Sequence, residues 1–264
     1  MKGLKQKIIW ITGASSGIGE ALALQLAKNG NKLILSGRNN EALLSVQEKC
    51  NKTAKAEILV FDMVDIEDHH QIAKKAWNIF GKIDVLINNA GVSQRALAME
   101  TKFAVERNLM EVNYFAPISL TKALLPYFIE QKSGHIAVVS SIAGKFGFTL
   151  RSTYAASKHA LQGYFEALRL ELKDVPIYVT IICPGRVLTN ISFNAVQGDG
   201  KAHAKLDNGQ RNGVSAAKCA QKIEKAIKNK QYEVLIGKLE LIPVFLKRFC
   251  PPLFYYLIKR VKAT

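Results

Sequence analysis

A doubly wound α/β fold built on one parallel sheet is the architecture this sequence predicts, and three observations predict it. Short β-rich runs alternate with amphipathic helical stretches along the chain, the pattern of a parallel sheet with helices on both faces. The runs are almost continuously apolar, as strands covered on both sides must be. A glycine-rich turn, "ITGASSGIG" from Ile11 to Gly19, joins the first run to the first helical stretch. With 264 residues, 48% of them hydrophobic, the chain can bury one large core. A single Rossmann-type domain over 1–264 is expected, since no repeat, linker or low-complexity segment divides it.

The expected strands, in order, are "KIIWIT" (7–12), "KLILS" (32–36), "AEILVFD" (56–62), "DVLINN" (84–89), "HIAVVSS" (135–141), "IYVTIIC" (177–183) and a short "EVLIG" (233–237). The first follows a basic start, but its apolar run of about five residues is too short for a secretory leader. Helices are expected near 18–29, 40–50, 66–79, 101–130, 152–173 and 215–229. Gly30, Gly81 and Gly134 fall where such helices would end.

Net charge is +16, and residues 201–264 hold fourteen Lys/Arg against four Asp/Glu. A basic surplus favours anionic partners such as nucleotide phosphates or acidic lipid. No nucleic-acid-binding motif accompanies it, so nucleic acid is not an expected partner. Cys50, Cys183, Cys219 and Cys250 are far apart and read as thiols of a reducing compartment. The five histidines show no ligand-like grouping, and no metal is expected. Nothing apolar is long enough to span a bilayer, so a cytoplasmic protein is expected.

The chemistry concentrates where strands end. Gly13, Gly17 and Gly19, with Ser15, Ser16 and Ile18 between them, form a tight turn ahead of a helix N-terminus. That combination offers backbone N–H groups and a positive dipole end to a pyrophosphate. After the second strand, "LILSGRNN" has no carboxylate for ribose hydroxyls, and Arg38 stands where a 2′-phosphate would lie. This favours NADP(H), with NAD(H) the alternative. "VFDMVD" places Asp62 and Met63 after strand three, and "LINNAG" places Asn89, Ala90 and Gly91 after strand four. In "TYAASKHAL", Tyr154 and Lys158 share a helix face. A cation beside a phenol favours its ionised form, which makes the pair a candidate general acid, although the same spacing also occurs on ordinary solvated helices.

Taken together, "TGASSGIG", "NNAG", Asn113 in "MEVNYFA", "SS" at 140–141, "YAASK" and "PGRVLTN" resemble the short-chain dehydrogenases/reductases in order and spacing. The match runs from about Lys7 to Asn190. The resemblance implies an oxidoreductase moving hydride between nicotinamide and a carbonyl or secondary alcohol. Tyr154 would be the acid/base, and Lys158 would hold the nicotinamide ribose and lower the tyrosine's pKa. Ser141, thirteen residues before the tyrosine, would orient the carbonyl, with Ser140 its neighbour. Asn113 would hold a relay water. Asn89, Ala90 and Gly91 would border the adenosine, Asp62 the adenine, and Pro184, Gly185, Val187 and Thr189 the nicotinamide. Residues 186–214 would form a lid over a substrate cleft. Pairing through 101–130 and 152–173 would give a homodimer or homotetramer. A non-catalytic NADP-sensing protein is the alternative role.

A narrower similarity, to the dehydrogenase/reductase member 7 branch, extends into the basic, apolar segment 238–264. Its Leu, Ile, Phe and Tyr lie among Lys247, Arg248, Lys259, Arg260 and Lys262. Such a mixture either meets an anionic lipid surface peripherally or packs on the domain or a partner subunit with its lysines reaching water. Some relatives in that branch carry a long N-terminal anchor. None is read before the first strand here, so integral attachment is not expected. "CPP" at 250–252 should break the segment in two.

Overall fold

The computed structural model describes residues 4–64 and 69–260. Seven parallel strands form one sheet: β1 (Ile8–Thr12), β2 (Lys32–Gly37), β3 (Ala56–Val60), β4 (Val85–Asn88), β5 (Gly134–Val139), β6 (Ile177–Pro184) and β9 (Glu233–Ile236). Their spatial order is β3-β2-β1-β4-β5-β6-β9. Alternation along each strand divides the core between the two faces. In β1, Ile9 and Ile11 join one apolar cluster, whereas Ile8 and Trp10 join the other. The first cluster lies under α1 (Gly17–Ala27), α2 (Asn40–Asn51) and α8 (Ala216–Lys228). The second lies under α3 (His69–Phe80), α5 (Ala116–Glu130) and α6 (Ser152–Glu171). Trp10 is fully buried, and its Nε1 donates to Ser36 Oγ at 2.9 Å, so the indole N–H is satisfied inside the sheet.

All seven expected strands form, within one or two residues of their expected ends. Two expectations need revision. The stretch 101–130 is not one helix: α4 (Phe103–Met110) passes through a wider π-helical turn, Glu111–Phe115, into α5. Within that turn Asn113 faces inward and exchanges hydrogen bonds with Val92, accepting from its N–H and donating to its carbonyl, each at 2.8 Å. Gly134 does not end a helix but opens β5; the left-handed residue after α5 is Lys132, at φ 50°. Close packing explains the glycine, because a Cβ there would lie 2.6 Å from Phe128 Cγ. Residues 66–68 of the expected third helix lie outside the described residues.

Downstream of β6 the chain makes two very short strands, β7 (Val187–Leu188) and β8 (Val214–Ser215), which pair in parallel. They close the base of the segment 189–213, which contains the single turn α7 (Asn208–Arg211). The C-terminal segment forms α9 (Ile242–Phe249) and α10 (Pro251–Ile258), broken at Cys250 as the prolines require. Phe254 is buried against Ile142 and Phe146, with the Phe146 ring edge-on at 5.5 Å. One face of this segment therefore packs on the protein, while Phe245, Phe249, Tyr255 and Tyr256 are exposed. Lys262 lies outside the described residues. Among those described, no helix is long and apolar enough to cross a membrane.

Candidate active site

The strand order reverses direction between β1 and β4, and open parallel sheets bind ligands beyond the C-terminal strand ends at such a point. The glycine turn stands there. Gly13 and Gly17 have φ of +63° and +59°, a region side chains avoid. A Cβ on Gly13 would lie 2.8 Å from Ala90 Cα, and one on Gly19 would overlap the Gly13 carbonyl oxygen. The turn is thus pressed against the end of β4, leaving the first N–H groups of α1 to face outward. Ser16, at the helix cap, makes no capping bond with its hydroxyl. Exposed N–H groups, a positive helix end and an uncommitted hydroxyl fit a dinucleotide pyrophosphate.

Other sequence-derived cofactor residues take more specific places. Asn89 braces the turn: its Nδ2 donates to the carbonyls of Thr12 at 3.0 Å and Gly13 at 3.1 Å. Asn89 N and Ala90 N both donate to Thr12 Oγ1, at 3.0 and 3.1 Å. Ile18 is partly buried and packs against the core. Ser15 lies beside Gly37, 3.5 Å from where a Cβ there would be. Thr189 reaches the turn from the far side, its Cγ2 being 3.2 Å from a Cβ on Gly17. Arg38 and Asp62 meet at 3.5 Å with Arg38 largely exposed, and Asp62 also accepts from Val64 N at 3.2 Å. Such a long, solvated ion pair contributes little and is easily exchanged for another anion. Met63 and Val187 are buried. Gly185 is fitted against the C-terminal segment, since a Cβ there would lie 2.7 Å from Glu240 Cγ.

Ser141, Tyr154, Lys158 and Asn113 converge at the ends of β4 and β5. Ser141 caps a short turn, accepting from Ala143 N at 3.1 Å and donating to the Pro184 carbonyl at 3.4 Å. Its hydroxyl is near enough to the Tyr154 phenol to favour the ionised form. Lys158 Nζ donates to the Val139 carbonyl at 3.0 Å. Gly91 leaves room beside this group: a Cβ there would lie 3.0 Å from Asn113 Oδ1 and 3.5 Å from Lys158 Nζ. Ser140 is structural, donating to the Lys158 carbonyl at 3.2 Å and accepting from Gln162 Nε2 at 3.0 Å.

Electrostatics here differ from the simple expectation of a lysine lowering its tyrosine. Burial raises the Tyr154 pKa, against smaller lowering effects of the Ser141 hydrogen bond, Arg95 and Arg151. Lys158 sits with its Nζ 5.9 Å from the tyrosine ring centre, and burial lowers its own pKa to about 8. Burial thus holds the phenol protonated, the form that can donate.

A buried ionic cluster that local sequence does not reveal stands beside the tyrosine. Asp207 Oδ2 accepts from Arg95 Nη2 at 2.6 Å and Nε at 2.9 Å, and from Arg151 Nη2 at 3.1 Å. All three side chains are less than a tenth exposed. The cluster fastens segment 189–213 to the loop after β4 and to the start of α6. His203 Nε2 lies 3.6 Å from the other Asp207 oxygen. Among the described residues, no group of His, Cys, Asp and Glu is arranged to hold a metal ion.

The short chain dehydrogenase family profile matches residues 7–199, so the chain belongs to that family of NAD(P)-binding oxidoreductases. Across 273 aligned residues it is 37% identical to Dehydrogenase/reductase SDR family member 7B of Xenopus laevis, over 98% of this chain and 84% of that protein. A short chain dehydrogenase/reductase from Burkholderia phymatum, solved in complex with NAD, superposes with a TM-score of 0.84 at 25% identity, over 96% of both chains. An alcohol dehydrogenase from Thermococcus sibiricus, complexed with 5-hydroxy-NADP, shares the fold with a TM-score of 0.76 at 24% identity, over 88% of this chain and 97% of that one.

Proposed function

We propose that the protein is an NADP(H)-dependent oxidoreductase interconverting a carbonyl and a secondary alcohol on an apolar substrate. The convergence of Ser141, Tyr154, Lys158 and Asn113 at the switch-point edge, with Asn113 Oδ1 and Lys158 Nζ both beside Gly91, is the observation that carries this reading. When bound, the dinucleotide supplies or accepts the hydride. Ser141 donates a hydrogen bond to the substrate oxygen, and Tyr154 passes a proton to or from it. Lys158 holds the ribose hydroxyls and keeps a positive charge near the phenol, while Asn113 positions a relay water. Gly13, Ser16, Gly17 and Gly19 hold the pyrophosphate. Arg38 takes the 2′-phosphate in exchange for Asp62. Asn89, Ala90, Gly91, Asp62 and Met63 border the adenosine half, and Pro184, Gly185, Val187 and Thr189 the nicotinamide.

Segment 186–214 acts as a lid, and Phe148, packed on Tyr154 and Ala155, supports an apolar substrate. The protein works in the cytoplasm as a homodimer or homotetramer. The exposed aromatic and basic face of 238–264 touches acidic membranes peripherally. NADPH oxidation dependent on straight-chain, aryl or polycyclic carbonyls is the test. Lys158, with its pKa lowered to about 8, is charged below that pH and neutral above it. Accordingly kcat/KM for NADPH, which reports groups of the free enzyme, should fall as pH rises through about 8. Absence of carbonyl-dependent oxidation with every carbonyl class counts against the reading.

A further inference from the structure

Helix α6 carries both Tyr154 and Lys158, yet its first turn has no local cap. Arg151, the residue before it, makes no side-chain capping bond, although Ser, Thr, Asp or Asn usually serves there. The N–H groups of the second and third helical residues would be left without partners. Gln94 fills that place from another part of the chain. Its Oε1 accepts from Thr153 N at 3.0 Å and from Tyr154 N at 3.2 Å, across 59 and 60 residues of sequence. The same amide's Nε2 donates to Thr101 Oγ1 at 3.1 Å and Ser152 Oγ at 3.4 Å, so its orientation is determined by four partners.

Gln94 is fully buried and its backbone is held on both sides. Val196 N donates to the Ser93 carbonyl at 2.9 Å, and Arg95 N to the Val196 carbonyl at 2.8 Å. Next to it, Arg95 is anchored to Asp207. A glutamine kept so rigid, with both amide ends committed, is well suited to fix what it touches.

We propose that Gln94 is a positioning residue for Tyr154, capping α6 in trans so that the phenol stays against Ser141; this rests on Tyr154 being the acid/base. First turns are where helices fray, and Tyr154 is the third residue of this one. Lys158 lies one turn deeper and has its own anchors at Val139 and Ser140. Loss of the cap therefore displaces the tyrosine but leaves the lysine in place, which separates turnover from dinucleotide binding.

Two substitutions distinguish reach from mere bulk. Gln94→Asn keeps a buried amide but withdraws the oxygen by one methylene. Gln94→Glu keeps the reach and accepts both N–H groups at a helix end that favours negative charge. With NADPH and phenanthrenequinone as probe, Gln94→Asn should lower kcat by about 10–100-fold and leave the Kd for NADPH within about twofold, as expected for a change in placement alone. Gln94→Glu should recover most of that loss. Hydrogen exchange reads the cap without any substrate: the Thr153 and Tyr154 amides should exchange faster in Gln94→Asn, and near the wild-type rate in Gln94→Glu. Unchanged exchange at both amides in Gln94→Asn would overturn the proposal, as would wild-type kcat. Equal loss of kcat and NADPH affinity in both variants also overturns it, since that is general structural damage. Tyr154→Phe measured alongside separates the two readings. Full turnover in that variant sinks the acid/base assignment, whereas an inactive Tyr154→Phe with a fully active Gln94→Asn sinks only the role of Gln94.

Discussion

Replacing Tyr154 by phenylalanine is expected to lower carbonyl turnover by about 10²–10⁴-fold, the usual contribution of a positioned proton donor, with dinucleotide binding and the fold retained. Only the hydroxyl is lost. The ring keeps its packing against Ala143, Ala155 and Phe148, and the ammonium of Lys158 keeps its place by donating to Val139. Ser141 is not stranded, because it still accepts from Ala143 N and donates to the Pro184 carbonyl. The stability change should stay within about 1 kcal/mol, the net worth of one hydrogen bond. Steady-state rates together with NADPH-dependent melting make the comparison. A variant that binds NADPH normally but turns over at the wild-type rate places the proton donor elsewhere. If the biological effect persists after turnover is lost, the role is sensing the dinucleotide rather than catalysis.

The second large effect is structural. Asp207→Ala leaves Arg95 and Arg151 side by side with their shared carboxylate removed, both guanidinium groups being almost wholly buried. Desolvation already lowers the Arg151 pKa to about 10, with Arg95 adding to the effect and Asp207 opposing it. Breaking a buried ion pair by deleting one partner costs about 3–5 kcal/mol. In a chain of this size that corresponds to a fall in Tm of roughly 5–9 °C. Release should begin locally, since Asp207 lies in segment 189–213 and opening it returns both arginines to water. Limited proteolysis should therefore cut within 189–213 before the sheet melts. Asp199→Asn is the control, because Asp199 pairs with its near neighbour Lys201 at the surface, and it should melt like wild type. An Asp207→Ala protein with unchanged Tm and protease resistance contradicts the view that this cluster fastens the segment.

What the sequence made legible follows the range of the interactions involved. Strands such as Ile8–Thr12 announce themselves because burial on both faces demands a continuous apolar run. The glycine turn is visible because Gly13 and Gly17 hold conformations that other residues avoid. Long-range features left weaker traces. The π-helical turn at Glu111–Phe115 contains no glycine and none of the chain's prolines; Asn113 is tied there to Val92, 21 residues away. Gln94 and Arg95 look like ordinary polar residues of a loop, and their partners at 153–154 and 207 are 59 to 112 residues distant. Arg151 offered a faint signal, as a helix start without a capping side chain. The resemblance implied a lid over 186–214 and gave no sign of the buried carboxylate of Asp207 within it. In the C-terminal segment the sequence left packing and lipid contact as alternatives. Phe254 packs inward, while the exposed Phe245 and Phe249 keep a second contact open.

Thermal melting with NADPH and with NADH at matched concentrations is the most direct test of the switch-point edge as an NADP(H) site. A ligand that binds only the folded state raises stability in proportion to its occupancy, by about 2.7 kcal/mol at one hundred times its Kd. NADPH should raise the Tm clearly more than NADH, and Arg38→Leu should bring the two shifts together. A transition that neither dinucleotide moves contradicts the account at its centre, and an NADH shift equal to that of NADPH contradicts the part assigned to Arg38.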